Sequence, residues 1–368
     1  MKITAYKEDI GQQYYNPFKY NNIYPFSQIG RVVVDKDSGD IKYRLHEYNS
    51  NLDNDGNPIL LKDNEDIMVY FPAFYAKREW SGNTCKDSIS TEVPTSATKD
   101  EWEVHSAFLR ADGTIRPYVL VGAFQGTKVN GQLRSRPSGA SPKVSITLEA
   151  FRNLARSGRD SKWNVLTMDI ISMIQLLYKV AFQDLNSQSV IGNGWTSKSA
   201  SATVGSTLPL GNRSGYLGIN GNQISLFGIE DFYGNVWEFV DGFVVKDDGY
   251  YTTNNPNNFG TTSTYTKISG CGTPLAGTSA SAYVEGYVTK IEKPTGREKF
   301  FNLPCVLGGT ETTYYCDYLW SHRLGQENIF LFGALWGDGS RSGAFCLGWN
   351  HVASNAGTYI GARTCFLA

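Results

Sequence analysis

The stretch Gly228-Ile229-Glu230-Asp231-Phe232-Tyr233-Gly234-Asn235-Val236-Trp237-Glu238-Phe239-Val240-Asp241-Gly242 constrains the fold more than any other. Gly234-Asn235 is a pair that accepts positive φ, so it marks a tight turn. Val236, Trp237 and Phe239 follow directly, and side chains of that size and polarity enter a core. The chain must therefore turn sharply here and run straight into a buried strand. Acidic residues Asp231, Glu238 and Asp241 accompany the turn, and capping of local backbone explains them.

Around this segment the pattern is mixed. Short strands fit Gly30 to Val34 and Ile41 to Leu45, separated by the turn Asp37-Ser38-Gly39. Asp66 to Trp80 reads as a strand pair broken at Pro72, and Asp112-Gly113 as the turn of a further hairpin. Thr147 is a candidate N-cap for a helix from Leu148 to Arg156, stopped at Gly158, with Leu148, Phe151, Leu154 and Ala155 on one face. Ile170, Ile171, Ile174, Leu177, Tyr178 and Ala181 recur at helical intervals and predict a longer helix from Met168 to Asp184. After Trp195 the chain becomes rich in Ser, Gly and Thr and loses that periodicity. Two helices in a β- and loop-rich chain predict an α+β fold. The division expected is a β-rich N-terminal region, 1–130, and a second domain, 131–368.

Composition removes several function classes. Hydrophobic residues are 41% of the chain and charged residues 19%, so a substantial core is expected. A net charge of -1 lacks the basic footprint of a nucleic-acid binder. No apolar run reaches membrane-spanning length, so no membrane insertion is expected, and no signal-peptide apolar region follows Met1. The six cysteines, Cys85, Cys271, Cys305, Cys316, Cys346 and Cys365, form no CxxC pair. Zinc is not expected from that spacing, and the thiols are read as buried and unpaired. No GxSxG, HExxH, Walker A or interpretable paired-carboxylate motif is present, which agrees with a protein that is not an enzyme. The four histidines, His46, His105, His322 and His351, make no cluster in sequence.

The segment 228–242 resembles the signature of the formylglycine-generating-enzyme-like branch of the C-type lectin fold. The C-terminal part resembles something narrower. Gly308 to Trp320, Gly333-Ala334-Leu335-Trp336-Gly337-Asp338-Gly339-Ser340-Arg341-Ser342-Gly343-Ala344-Phe345-Cys346-Leu347, Val352-Ala353-Ser354 and Ile360 to Phe366 are similar to the variable proteins of diversity-generating retroelements. Phage tail proteins of the major-tropism-determinant type belong to that family. The resemblance covers most of 60–368. It implies a C-type-lectin-like α+β domain whose hypervariable C-terminus, 333–363, is rewritten by adenine-directed mutagenesis. It further implies a receptor-binding role on a phage or prophage tail fibre, with a host-cell surface molecule and other tail proteins as partners. The location implied is the virion, or the bacterial cytoplasm before assembly. An oxidase inherited from the same fold and a purely structural tail protein are the alternatives.

The residues can be weighed without the family. Trp336, Phe345, Leu347, Ile360 and Phe366 are core types, and Gly339, Gly343 and Gly361 are turn types. Between them Leu335, Gly337, Asp338, Arg341, Gly348, Asn350, His351, Asn355, Gly357, Thr358 and Tyr359 share no chemistry, yet each has a codon ending in C. An Asn AAC codon mutated at its adenines gives that set. The stretch 333–368 also lacks Lys, Glu, Gln and Met, which such codons cannot encode. Ser340 fits either class. Trp349 cannot arise from AAC, but lies among the variable positions and is expected to be exposed. These thirteen residues are the expected ligand-binding set, with Trp349, Tyr359 and Arg341 as anchors. Neither a catalytic residue nor a cofactor or metal is expected; calcium at Asp231, Glu238 and Asp241 would be an incidental structural ion.

Overall fold

The structure is a computed structural model that describes residues 2–4, 22–93, 102–217 and 222–368. In chain order, β1 (Gly30–Asp35), β2 (Ile41–Arg44) and β3 (Glu65–Pro72) come first, then the hairpin β4 (Tyr75–Ser81) and β5 (Thr84–Ser90). Next are β6 (Tyr118–Gly122), α1 (Leu148–Arg156), β7 (Trp163–Val165) and α2 (Met168–Phe182). A long strand, β8 (Trp237–Lys246), leads to β9 (Gly249–Thr252), β10 (Thr266–Lys267), β11 (Glu285–Ile291) and β12 (Pro304–Leu307). The chain closes with β13 (Tyr318–Trp320), β14 (Asn328–Phe332), β15 (Leu347–His351), β16 (Ile360–Gly361) and β17 (Thr364–Leu367).

Two sheets dominate. The first runs in the order β7-β17-β6-β3-β1-β2, and the second β10-β9-β8-β14-β15-β13-β11-β12, with β16 added in parallel beside β8. Strand content is 33% against 15% helix, so the protein is β-rich and the α+β expectation is corrected. The physical reason lies after residue 195. That stretch has no helical periodicity, and its short Gly-, Ser- and Thr-rich segments pair as strands with partners far away in sequence. α1 and α2 supply packing for sheets but no layer of comparable extent.

Both helices begin where capping chemistry dictates. Thr147 Oγ1 accepts from Ala150 N at 3.2 Å, and Thr167 Oγ1 from Ile170 N at 3.4 Å. α1 buries Leu148, Phe151 and Ala155 against Phe239 and Leu331. α2 is buried along its whole length and sits in the main core, a helix apolar nearly all round being a central one. Its polar residues are matched from outside. Lys179 pairs with Asp87 of β5, which Arg78 of β4 also holds at 2.6 Å. Gln175 and Lys179 both bond Asn302. Opposite charges on either side keep the buried Asp87 carboxyl well below the usual range despite its burial.

The turn at Gly234-Asn235 forms, with φ values of 83° and 67°, and Val236, Trp237 and Phe239 are buried behind it. The three acids that raised the calcium alternative are engaged by protein groups. Glu238 pairs with Arg363 at 2.7 Å, Asp241 takes Arg152 at both oxygens, and Asp231 accepts from Gln223. β17 inserts between β7 and β6, so a C-terminal strand and strands from before residue 130 share one sheet. No helix among the described residues is long and apolar enough to cross a membrane.

Candidate ligand-binding face

β15 is the organising element of the candidate site. It lies between β14 and β13, and side chains alternate across a strand. Leu347 and Trp349 point into the main core, where Trp349 packs against Tyr250 and Phe330 with centroids at 5.7 and 5.5 Å. Gly348 and Asn350 take the other face. There β13 sets Trp320 beside Gly348, and β11 sets Glu285 beside Trp320 and Tyr287 beside Tyr318.

The result is an aromatic strip on the Gly348 side of the sheet. Tyr287 and Tyr318 meet edge to face at 5.0 Å, Tyr318 and Trp320 lie 4.7 Å apart, and Trp237 meets Trp320 edge to face at 5.2 Å. Gly348 faces the far edge of Trp237, and a Cβ there would sit in ordinary contact with it at 3.6 Å. Arg341 lays its guanidinium over the strip, 5.6 Å from the Tyr318 ring centre and 5.5 Å from that of Trp320. Ser340 Oγ is 2.9 Å from Tyr287 Oη. On the other flank, His351 bonds Asn350 at 2.7 Å through Nδ1 and approaches Tyr359 Oη at 3.4 Å through Nε2. Burial, with Arg323 nearby, lowers the His351 pKa to about 4, so the ring is neutral near pH 7.

The loop that carries 335–341 is held from behind. Lys198 N donates to Trp336 O at 2.7 Å, and Gly339 N to Thr196 O at 2.8 Å. Asp338 Oδ2 accepts from Leu335 N at 2.9 Å, and burial raises its carboxyl pKa.

The expected set therefore divides. Gly337 and Thr358 are exposed, and Leu335, Ser340, Arg341, His351 and Tyr359 are half-buried around the strip or its flanks. Trp349 corrects the expectation: it is 0% exposed, because the strand's period of two assigns it with Leu347 to the core. Trp336, read as core, is half-buried. Asp338 and Asn355 hold their own loops, Asn355 through a 2.7 Å bond from Val352 N to its Oδ1. Gly348 and Asn350 are buried beneath the strip's edge, and Gly357 lies against the Tyr359 ring.

Sequence reasoning assigned no binding role to Tyr287, Tyr318, Trp320 or Trp237. Tyr318-Leu319-Trp320 does carry a signal, an aromatic pair at i and i+2 around an inward Leu. Its position beside 348 follows only from the parallel pairing of β13 with β15.

No disulfide joins the six cysteines, and four are buried; Cys271 and Cys305 are only half-buried, which corrects their expected burial. Burial pushes the Cys271 and Cys316 thiols up to about 12 and raises Cys346 and Cys365 as well. Among the described residues no group of His, Cys, Asp and Glu is placed to hold a metal ion. No family model matches the sequence, and no curated protein matches it.

Proposed function

We propose that this protein binds a ligand through the 335–359 face, and that the face is diversified by a retroelement in a phage or prophage tail-fibre protein recognising a bacterial surface molecule. One observation carries the binding part of this reading. Arg341 and Ser340 meet an aromatic strip and Leu335 and Tyr359 pack against the cluster that holds Trp237, while the residues between them, Ala344 to Leu347 and Trp349, are locked into the core. An exchangeable surface on a rigid frame is the logic of a paratope, where aromatic and Arg anchors supply most of the binding energy. Weak single contacts become firm adsorption when many copies are displayed. The raised cysteine pKa values favour this reading over the oxidase alternative, which needs accessible thiolates.

The diversification part rests on the residue pattern of 333–368 and is tested in the genome. The reading predicts a reverse-transcriptase gene beside this one and a near-copy of its 3′ end. Mismatches between the two copies should fall at template adenines in the codons for Leu335, Gly337, Arg341, Asn350, His351 and Tyr359. A gene neighbourhood without either would overturn it, and would leave the binding face to be tested by itself.

A further inference from the structure

The buried polar cluster between α2 and the β4–β5 hairpin holds more than an ion pair. Arg78 of β4 and Asp87 of β5 form a two-pronged contact, Nε to Oδ1 at 2.6 Å and Nη2 to Oδ2 at 2.8 Å. Together they are neutral. Lys179 of α2 brings a third ionisable group to the same place. Its Nζ contacts Asp87 Oδ2 and lies 3.0 Å from Asn302 Oδ1. Lys179 is 3% exposed and Asn302 2%. As an ammonium, Lys179 would leave one positive charge in excess away from water, and shedding a proton removes it. Burial and the adjacent Arg78 accordingly lower the Lys179 pKa in spite of Asp87.

The Asn302 amide is fixed as closely. Gln175 Nε2 donates to Ala344 O at 2.8 Å, so its Oε1 faces Asn302 and accepts from Nδ2 at 2.8 Å. That turns Oδ1 towards Arg78 and Lys179, where Arg78 Nη2 donates to it at 3.0 Å. Arg78 Nη1 holds the backbone of the same segment, at Lys299 O and Phe301 O. An amine, a primary amide with a polarised carbonyl and a carboxylate therefore meet in the core. A helix packed on a hairpin needs no such combination, since apolar residues of similar volume fill the space without the desolvation cost.

We infer that Lys179 and Asn302 join spontaneously in an isopeptide bond between Lys179 Nζ and Asn302 Cγ. The amine lone pair attacks Cγ, and the Arg78 guanidinium stabilises the charge that develops on Oδ1. Asp87 accepts the proton that Nζ sheds as its bond to carbon forms, and that proton passes to Nδ2. The Cγ–Nδ2 bond breaks and ammonia leaves. One amine and one primary amide become one secondary amide and ammonia, with no oxidant or reductant. Holding the two groups in contact makes an otherwise very slow aminolysis intramolecular. The bond joins residues 123 apart in sequence and ties α2 to the segment that enters β12 of the second sheet. Closing so long a loop restricts the unfolded chain. This chemistry stands whether or not the 335–359 face binds a ligand.

The test is the mass of the denatured wild-type chain, which the bond lowers by one ammonia relative to the sequence. Succinimide formation at an Asn also expels ammonia, so a tryptic digest must locate the loss. The expected product is a branched peptide in which 163–198, uncleaved after Lys179, is joined to 300–323. Lys179→Arg should restore the sequence mass and lower the melting temperature. Asp87→Asn, folded by circular dichroism, should form the bond about a hundredfold or more slowly in a time course after cell-free synthesis. A wild-type chain at the sequence mass and cleaved after Lys179, or an ammonia loss located elsewhere, would overturn the inference. An Asp87→Asn chain that cross-links as fast as wild type would overturn the role given to Asp87. The wild-type mass decides the bond even where a variant fails to fold.

Discussion

Trp349 fills the space between Tyr250 and Phe330, and its indole Nε1 has no hydrogen-bond partner among the described residues. Removing so large a buried side chain leaves a cavity, so Trp349→Ala should cost about 3–5 kcal/mol in denaturant unfolding. Trp349→Phe should cost less, since it also removes the orphaned N–H. Tyr359→Ala, on the surface, should stay within about 0.5 kcal/mol beyond its small share of packing. Equal losses at 349 and 359 would contradict the placement of Trp349 in the core and of Tyr359 at the surface. His351 gives a pH-dependent counterpart. Its pKa is lowered from 6.5 to about 4 in the folded state, so the stability it contributes is complete above 6.5. That stability is lost as pH falls through 4. The wild-type advantage in melting temperature over His351→Gln should therefore shrink between about pH 7 and pH 4. A gap that is constant across that range would mean that His351 is not shielded from solvent. The exposure of Trp349 was misread because its codon and its neighbours were weighed while the alternation Leu347, Trp349 was not. The alternation is the stronger physical signal, since a strand buried on one face allows no exception of that size.

At the scale of elements, the helices and the turn at Gly234-Asn235 were legible, because caps, periodicity and positive φ are local properties. Thr147 and Thr167 cap as their side chains dictate, and the strand that enters Pro72 ends there, the next one starting at Tyr75 in a different sheet. The sheet that builds the candidate face was not legible. β13 and β15 are adjacent although β14 lies between them in sequence, and no local rule places Trp320 beside Gly348. One close approach in this region is open to test. Gly343 has φ 156°, and a Cβ there would fall 1.9 Å from Asp317 Oδ1. Asp317 cannot retreat easily, because it is buried and its other oxygen accepts from Phe345 N at 2.6 Å. Gly343→Ala should accordingly destabilise by about 1–3 kcal/mol, measured by urea unfolding. A neutral result would show that the loop between β14 and β15 yields more readily than this packing implies.

For the whole molecule, buried ion pairs show how the frame of the proposed face is held. Arg363, four residues past Tyr359, pairs with Glu238 and donates to the backbone of Gly122, Glu230 and Asp231. β17 then closes the first sheet between β7 and β6. The 335–359 segment thus runs from β14, paired with β8 and β15 in the second sheet, to Arg363 and β17, anchored beyond it. That anchorage was invisible in sequence, where Arg363 reads as one more charge, and it makes the central claim measurable without knowing any ligand. The measurement is a displayed library in which Leu335, Ser340, Arg341, Asn350, His351, Thr358 and Tyr359 are randomised together and each clone is scored for protease resistance. Most clones should remain folded, and selection on different bacterial surfaces should enrich different residues at these positions. A library in which most clones are degraded, or in which every selection returns the parental residues, would contradict an exchangeable recognition face.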